Sequence, residues 1–562
     1  MGKKNKSFRR IGHQTRSPLP STQKQIDRQN LLRQAMALHQ QGNMAEAERL
    51  YLSILRLNPR HFDALQLLGI LNKQIGRLDA AGDLMQRSLN INPNQPHVFN
   101  NLGIVLQALG RHDDALASYE KAVALNPGFA DAYNNRGIVF QSLHRYEEAL
   151  ECFEKALAVQ PGYAQVHNNH GNALQDLKRY DEAIQSYEKA LALKPDFVEA
   201  YTNQGNALQE LQRYDEAVQS YDRALAVNPD LAEAYNNRGN ALQELRRYDE
   251  ALASYEKAAA LKPGYAEVYY NCGNTLQDLE RYDEAVRCYD RALAVNAGYN
   301  EVHNNRGNAL KKLKRYEEAL ASYDRALIVS PHSAEIYYNR GNILKDLKRC
   351  NEAIASYEKA AILKPDYADA YNNCGIVLQD LKRYDEALVY YDKALAFKPD
   401  FAETYNNIGN TFKETKRYDE ALYHYDRAIA ARPDYTDAHW NKSILLLLTG
   451  RYEEGWRLYE WRWQKEEIKH LVRNFPQPLW LGDADIKDKT ILLHAEQGLG
   501  DAIQMLRYVP LIKVKGAGVI VEVPAALAAL AAEIPDVDQV VVKGDALPDF
   551  HRHCPLMSLP LA

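Results

Sequence analysis

The sequence has no apolar run long enough for a membrane helix, which argues against a helical span. It contains no Gly-x-x-x-x-Gly-Lys-Ser/Thr element, so a phosphate P-loop is absent. Its six cysteines, Cys152, Cys272, Cys288, Cys350, Cys374 and Cys554, form no Cys-x-x-Cys pair. They read as small apolar residues of a reduced, cytoplasmic compartment, not as a disulfide framework. Tryptophan is confined: all five lie between Trp440 and Trp480. The N-terminus "MGKKNKSFRRIGHQTRSPLPSTQKQ" lacks the apolar core of a secretory signal, and Lys6 stands where myristoylation requires Ser or Thr. Residues 1–28 hold eight Lys/Arg against one Asp, so residues 1–27 are expected to be a basic, disordered tail, with contact to an acidic surface as the alternative. The chain carries a net charge of −5, so the body beyond the tail sums to −12. An acidic body excludes bulk nucleic-acid binding.

What fills the body is repetition. Glycine recurs every 34 residues from Gly69 to Gly409, alanine from Ala47 to Ala421, and proline from Pro59 to Pro433 with a single miss at Ala297. Cys152 and Cys288 share one repeat position, and Cys272 and Cys374 another. Each unit predicts two helices. In the unit beginning at Ala232 the first runs to about Leu245, "RRYD" turns the chain with Asp249 placed to cap the next helix, and the second ends before Pro263. Small Gly239 and Ala251 let the pair approach closely, and the aromatic residues fill the gaps around them. One hairpin cannot bury its apolar face alone, so neighbours must stack.

This pattern resembles the tetratricopeptide repeat, with tyrosines such as Tyr133, Tyr235 and Tyr371 where that family often has tryptophan. The resemblance covers residues 28–435 as twelve repeats, then a degenerate capping repeat at 436–469 where Ser443 replaces the glycine and Gly455 the alanine. It implies an all-α superhelical solenoid whose first helices line a concave groove. Asn101, Asn135, Asn169, Asn203, Asn237, Asn271, Asn305, Asn339, Asn373, Asn407 and Asn441 each stand two residues before the repeat's glycine position. Most units add a second asparagine three residues on, on the same helix face. Asparagine both donates and accepts, so such a ladder suits the backbone of an extended protein or peptide partner. Asparagine here also serves packing between repeats in this family, and both readings stand. The array is similar to that of protein O-linked N-acetylglucosamine transferases, where a ladder guides substrate proteins. Pairing of two copies through the repeats stays open.

After a linker at 470–489 the period stops. Strands are expected at Thr490–Ala495, Gly518–Val523 and Gln539–Lys543, and helices at Ala502–Lys515 and Ala525–Glu533. This alternation means a parallel, Rossmann-like α/β domain over 490–562. Gly498 and Gly500 in "QGLGD" would form a tight ligand loop at the carboxyl end of the sheet, with Asp501 opening the helix as its cap. A dinucleotide fingerprint is incomplete, because Ile503 replaces the third glycine, although Glu522 ends the second strand suitably. "DAD" at 483–485 precedes the first strand, and "HRHC" has His551, His553 and Cys554 but no distant ligands, so no metal site is assigned. "GLGDAIQ" resembles the N-terminal half of heptosyltransferase-like GT-B glycosyltransferases. That resemblance implies Asp501 as catalytic base, a nucleotide sugar as donor substrate, and no resident cofactor. The chain departs from the family by ending within the first half, so the partial domain is expected to lack the donor-binding half. The function expected is an interaction scaffold presenting a protein to a glycosyltransferase-like module. The alternative is an active glycosyltransferase, completed by a second domain.

Overall fold

A computed structural model describes residues 20–562 except Gln497, with side chains from Gln29 onward. Residues 1–19 of the expected basic tail lie outside the described residues; the first helix, Pro20–Gln40, begins inside that tail. The chain divides into two compact units, 1–281 and 282–562, and the division falls within one repeat.

In the first unit, antiparallel helix pairs follow one another from Pro20–Gln40 to Ala266–Asp278. The pair Ala232–Glu244 and Tyr248–Leu261 shows the design. A Cβ on Gly239 would lie 2.5 Å from the Tyr255 ring, and Ala251 and Ala258 are fully buried. The turn between the helices closes on Arg246 in the left-handed region, φ 57°. Arg247 N–H returns to the Leu242 carbonyl at 2.9 Å, which completes a Schellman motif. Asp249 does not cap the second helix. The cap position is Arg247, whose guanidinium grips Glu250 at 2.7 and 2.8 Å, while Asp249 sits in the exposed first turn. Arginine at this position carries no acceptor, so the first-turn N–H groups face solvent and acidic residues instead.

In the second unit the pairs run from Tyr282–Val295 to Thr436–Leu448 and Tyr452–Tyr459. The last pair exchanges its small residues without losing its fit. Ser443 Oγ donates to the Gly455 carbonyl at 3.0 Å, and a Cβ on Gly455 would meet Leu447 at 2.8 Å. A 3-10 turn, Glu460–Gln464, follows. Beyond it lies a four-stranded parallel sheet of β1 (Thr490–His494), β2 (Gly518–Val523), β3 (Gln539–Val542) and β4 (Arg552–Pro555), in the order β3-β2-β1-β4. Helices cover one face. The segment expected as one helix, Ala502–Lys515, is two, Leu499–Leu506 and Val509–Val514, because Pro510 cannot continue the first. β4 was not expected: "RHCP" is too short and too polar to read as a strand, and pairing with β1 makes it one, with His553, Cys554 and Pro555 buried. Tyr459, Trp480 and the strand residues Leu493 and Cys554 belong to one apolar core with Trp440 and Trp456 packed against it, so the tryptophan-rich cap and the sheet are joined.

Candidate functional site

The ladder asparagines lie half-buried on the first helices, with Asn169 buried, and most spend donor capacity on the preceding repeat. Asn135 Nδ2 donates to Asn100 Oδ1 at 3.1 Å and Asn169 to Asn134 at 2.9 Å. Asn237 donates to Asn206 at 3.0 Å. Asn203 donates twice, to Asn168 at 3.2 Å and Asn172 at 2.9 Å, as does Asn271 to Asn236 and Asn240, both at 3.0 Å. In the second unit Asn339, Asn373, Asn407 and Asn441 do likewise, at 2.9–3.3 Å. Asn101 instead accepts from Lys73 Nζ at 3.2 Å, and Asn305 stands at the same register. The second asparagine is the shared acceptor. Asn172 Oδ1 takes Tyr187 OH at 2.8 Å as well as Asn203. The packing role of the ladder is therefore real, and the chemistry left to the surface is mainly the acceptor oxygen of residues such as Asn203, Asn271 and Asn407.

A second feature shares that face. Glu199, Asn203, Asn206 and Glu210 are spaced four, three and four along their helix, which places them on one stripe. The next helices repeat it as Glu233, Asn237, Asn240, Glu244 and as Glu267, Asn271, Asn274, Asp278; the preceding one has Gln165, Asn169, Asn172, Asp176. These acids are exposed and held mostly by neutral donors: Asp176 by Gln141 at 2.7 Å, Asp278 by Gln243 at 3.2 Å. Among the described residues no lysine or arginine pairs with Asp176, Glu199, Glu210 or Glu244. On the second helices, by contrast, Glu182, Glu216 and Glu250 each hold an arginine at 2.6–2.8 Å. The sequence displayed these acids, but only the stripe geometry shows that they flank the asparagines.

The C-terminal loop is exposed at Gly498, Leu499 and Gly500. Gly498 is the cap of the helix Leu499–Leu506 at φ −62°, and a Cβ on Gly500 would meet nothing within 4 Å. Neither glycine is demanded by a left-handed turn, so their role as a sharp-turn pair is not what the geometry uses. Asp501 is half-buried in the first helical turn and makes no capping bond. Glu522, the residue suited to a ribose, is buried and engaged by Arg473. Of "HRHC", His551 Nδ1 accepts from the Thr490 N–H at 3.0 Å, and His553 meets His494 at 3.2 Å. Cys554 is buried, which pushes its thiol well up. All six cysteines are free thiols. Burial, with His553 alongside, drives His494 down to about 3. Burial raises the Glu496 carboxyl to about 7, against the opposing pull of Arg462. His494 and Glu496 escaped sequence reading because "LLHAEQ" reads as a strand end; alternation at a carboxyl edge is the signal that points to them.

Stacked helix pairs presenting an amide-lined face define a protein-interaction scaffold. Tetratricopeptide repeat models match residues 128–196, 230–297 and 366–434 in one form, 108–144, 205–246 and 341–382 in a second, 32–96 and 270–335 in a third, and 186–219 in a fourth. Together they span most of 32–434, and the chain belongs to the tetratricopeptide repeat family. Among solved structures it is similar to YrrB, described as a repeat protein with an unusual peptide-binding site, at 27% identity over 33% of this chain and 96% of that one, TM-score 0.31. It is similar to pilF of Pseudomonas aeruginosa at 24% identity over 37% and 94%, TM-score 0.33. A tetratricopeptide repeat protein of Parabacteroides merdae matches at 18% identity over 44% and 98%, TM-score 0.36. No curated protein matches the chain. No described helix is long and apolar enough to cross a membrane.

Proposed function

We propose that the first-helix face holds an extended protein segment and delivers it to the C-terminal α/β module. The observation that carries this is the acid–Asn–Asn–acid stripe repeated on successive first helices. Asparagine oxygens accept backbone N–H groups irrespective of sequence. Glu199, Glu210 and Glu244, which hold no lysine or arginine, favour lysine and arginine in the held segment, chiefly through encounter rate and partner choice, whereas Glu233 already pairs with Lys262 at 3.4 Å. The test is fluorescence anisotropy with a lysine-rich unstructured peptide and a neutral one of equal length. Replacing Glu199, Glu210 and Glu244 together by glutamine removes charge without touching the inter-repeat amide bonds or the Glu233–Lys262 pair. Weaker binding of the basic peptide supports the reading; equal binding of both peptides to both proteins defeats it. Alanine at four ladder asparagines is expected to weaken binding too, but at a cost in packing.

A second reading takes the module as a glycosyltransferase half. Asp501 lies beyond the carboxyl end of β1, in the first turn of the helix that follows the exposed Gly498, which favours it. Its carboxylate would take the proton of an acceptor hydroxyl as the oxygen attacks the sugar's anomeric carbon and the nucleotide leaves. Sugar transfer, with a donor-binding domain supplied, should be lost in Asp501→Asn; undiminished transfer would remove Asp501 from that role.

A further inference from the structure

Beside the candidate loop lies a buried polar group that no groove contact uses. Glu460 and Arg462 come from the 3-10 turn closing the last repeat, Glu496 follows β1, and Ser558 follows β4. Arg462 is fully buried, and the Glu496 side chain is 2% exposed. Arg462 Nη1 donates to Glu460 Oε1 at 2.5 Å; Nη2 donates to Glu496 Oε1 at 3.1 Å and to Ser558 Oγ at 2.7 Å. Ser558 Oγ in turn donates to Glu460 Oε1 at 2.9 Å. The Tyr459 and Trp463 rings flank the guanidinium at 4.9 and 4.4 Å.

Two carboxylates thus share one cation away from water, and with both ionised the site holds a buried net negative charge. The other groups turned toward Glu496 are the Met557 backbone N–H and the Cys554 thiol, neither of which adds positive charge. Glu496 Oε2 is buried with no hydrogen-bond partner among the described residues. Glu460 keeps a second donor, Trp463 Nε1 at 3.2 Å, and is 18% exposed, so Glu496 is the carboxyl that takes the proton.

We propose that Glu496 is a proton-operated latch: neutral, it locks the cap of the repeat array onto the carboxyl edge of the sheet; ionised, it loosens the Gly498–Asp501 segment beside it. The chemistry is proton uptake by one carboxylate, and it holds whatever the groove binds. Hydrogen exchange of the Gly498–Asp501 amides in the full chain, corrected for the intrinsic pH dependence, tests it. Protection should fall severalfold from pH 6 to pH 8, and Glu496→Gln, which keeps the shape and stays neutral, should hold the pH 6 level throughout. The same fall in Glu496→Gln, or none in the native chain, overturns the latch. Infrared difference spectra of the native chain serve where the variant folds poorly: a buried protonated carboxyl band present at pH 6 and lost by pH 8 is expected, and its absence at pH 6 overturns the proposal.

Discussion

Gly239 and Tyr255, sixteen residues apart, are fitted so closely that a methyl group on the glycine would lie 2.5 Å from the ring's Cε1. The same pairing recurs at Gly171 and Tyr187, Gly205 and Tyr221, and Gly375 and Tyr391, each at 2.5 Å. Tyr255 is a rigid, buried ring, so it cannot swing aside. Gly239→Ala is therefore expected to destabilise its repeat by about 1–3 kcal/mol through overpacking. Chemical denaturation checks the total, and hydrogen exchange should localise the loss to the pair Ala232–Glu244 and Tyr248–Leu261.

The hydroxyl of that tyrosine has its own task. Tyr255 OH donates to Asn240 Oδ1 at 2.8 Å, and the same oxygen accepts from Asn271 in the next repeat. Tyr255→Phe keeps the ring and removes the donor. The expected cost is about 1 kcal/mol. Exchange should rise in the helix Ala266–Asp278 as well as in the mutated repeat, because Asn240 joins them; a purely local effect would separate the tyrosine from the ladder.

Nine repeats close their turn with a non-glycine residue in the left-handed region, from His144 to Lys416, while Gly42, Gly76, Gly110 and Gly450 occupy the same register elsewhere. Lys314 at φ 59° is one of them. A side chain there costs roughly 1–2 kcal/mol, partly offset by the entropy a glycine loses on folding. Lys314→Gly should raise stability by about 0.5–1 kcal/mol. A lower denaturation midpoint would contradict this account of the turn.

The C-terminal sheet carries two opposed proton couplings. His494 falls to about 3 in the fold, so between that value and 6.5 the unfolded chain binds the extra proton and stability drops as pH falls. Glu496 rises to about 7, so between 4.5 and that value the native chain binds the extra proton and stability drops as pH rises. In the shared window, pH 4.5–6.5, the two slopes oppose each other. Glu496→Gln should unmask the histidine, giving a loss of about 1.4 kcal/mol per pH unit on acidification. His494→Phe should leave the opposite slope. Urea midpoints followed by tryptophan fluorescence, read at pH 5 and pH 6.5, distinguish the two variants; parallel profiles would deny the coupling.

Much of this protein is written in the order of its residues. The period fixed by glycine, alanine and proline determined the helix pairs, because a two-helix unit tolerates bulk at few places and those places must recur. The strands from Thr490, Gly518 and Gln539 were legible from their apolar runs, and Asn203 and Asp501 could be named from register and motif. Register does not say how an amide is spent. Only stacking brings Asn203 within reach of Asn168 and Asn172, turning donors expected for a ligand toward the neighbouring repeat. Arg462, Glu496 and Ser558 are separated by 34 and 62 residues along the chain, and the tertiary fold alone buries them together. A buried charge has no local signature: its environment is made of residues distant in sequence, and desolvation exists only once they close around it.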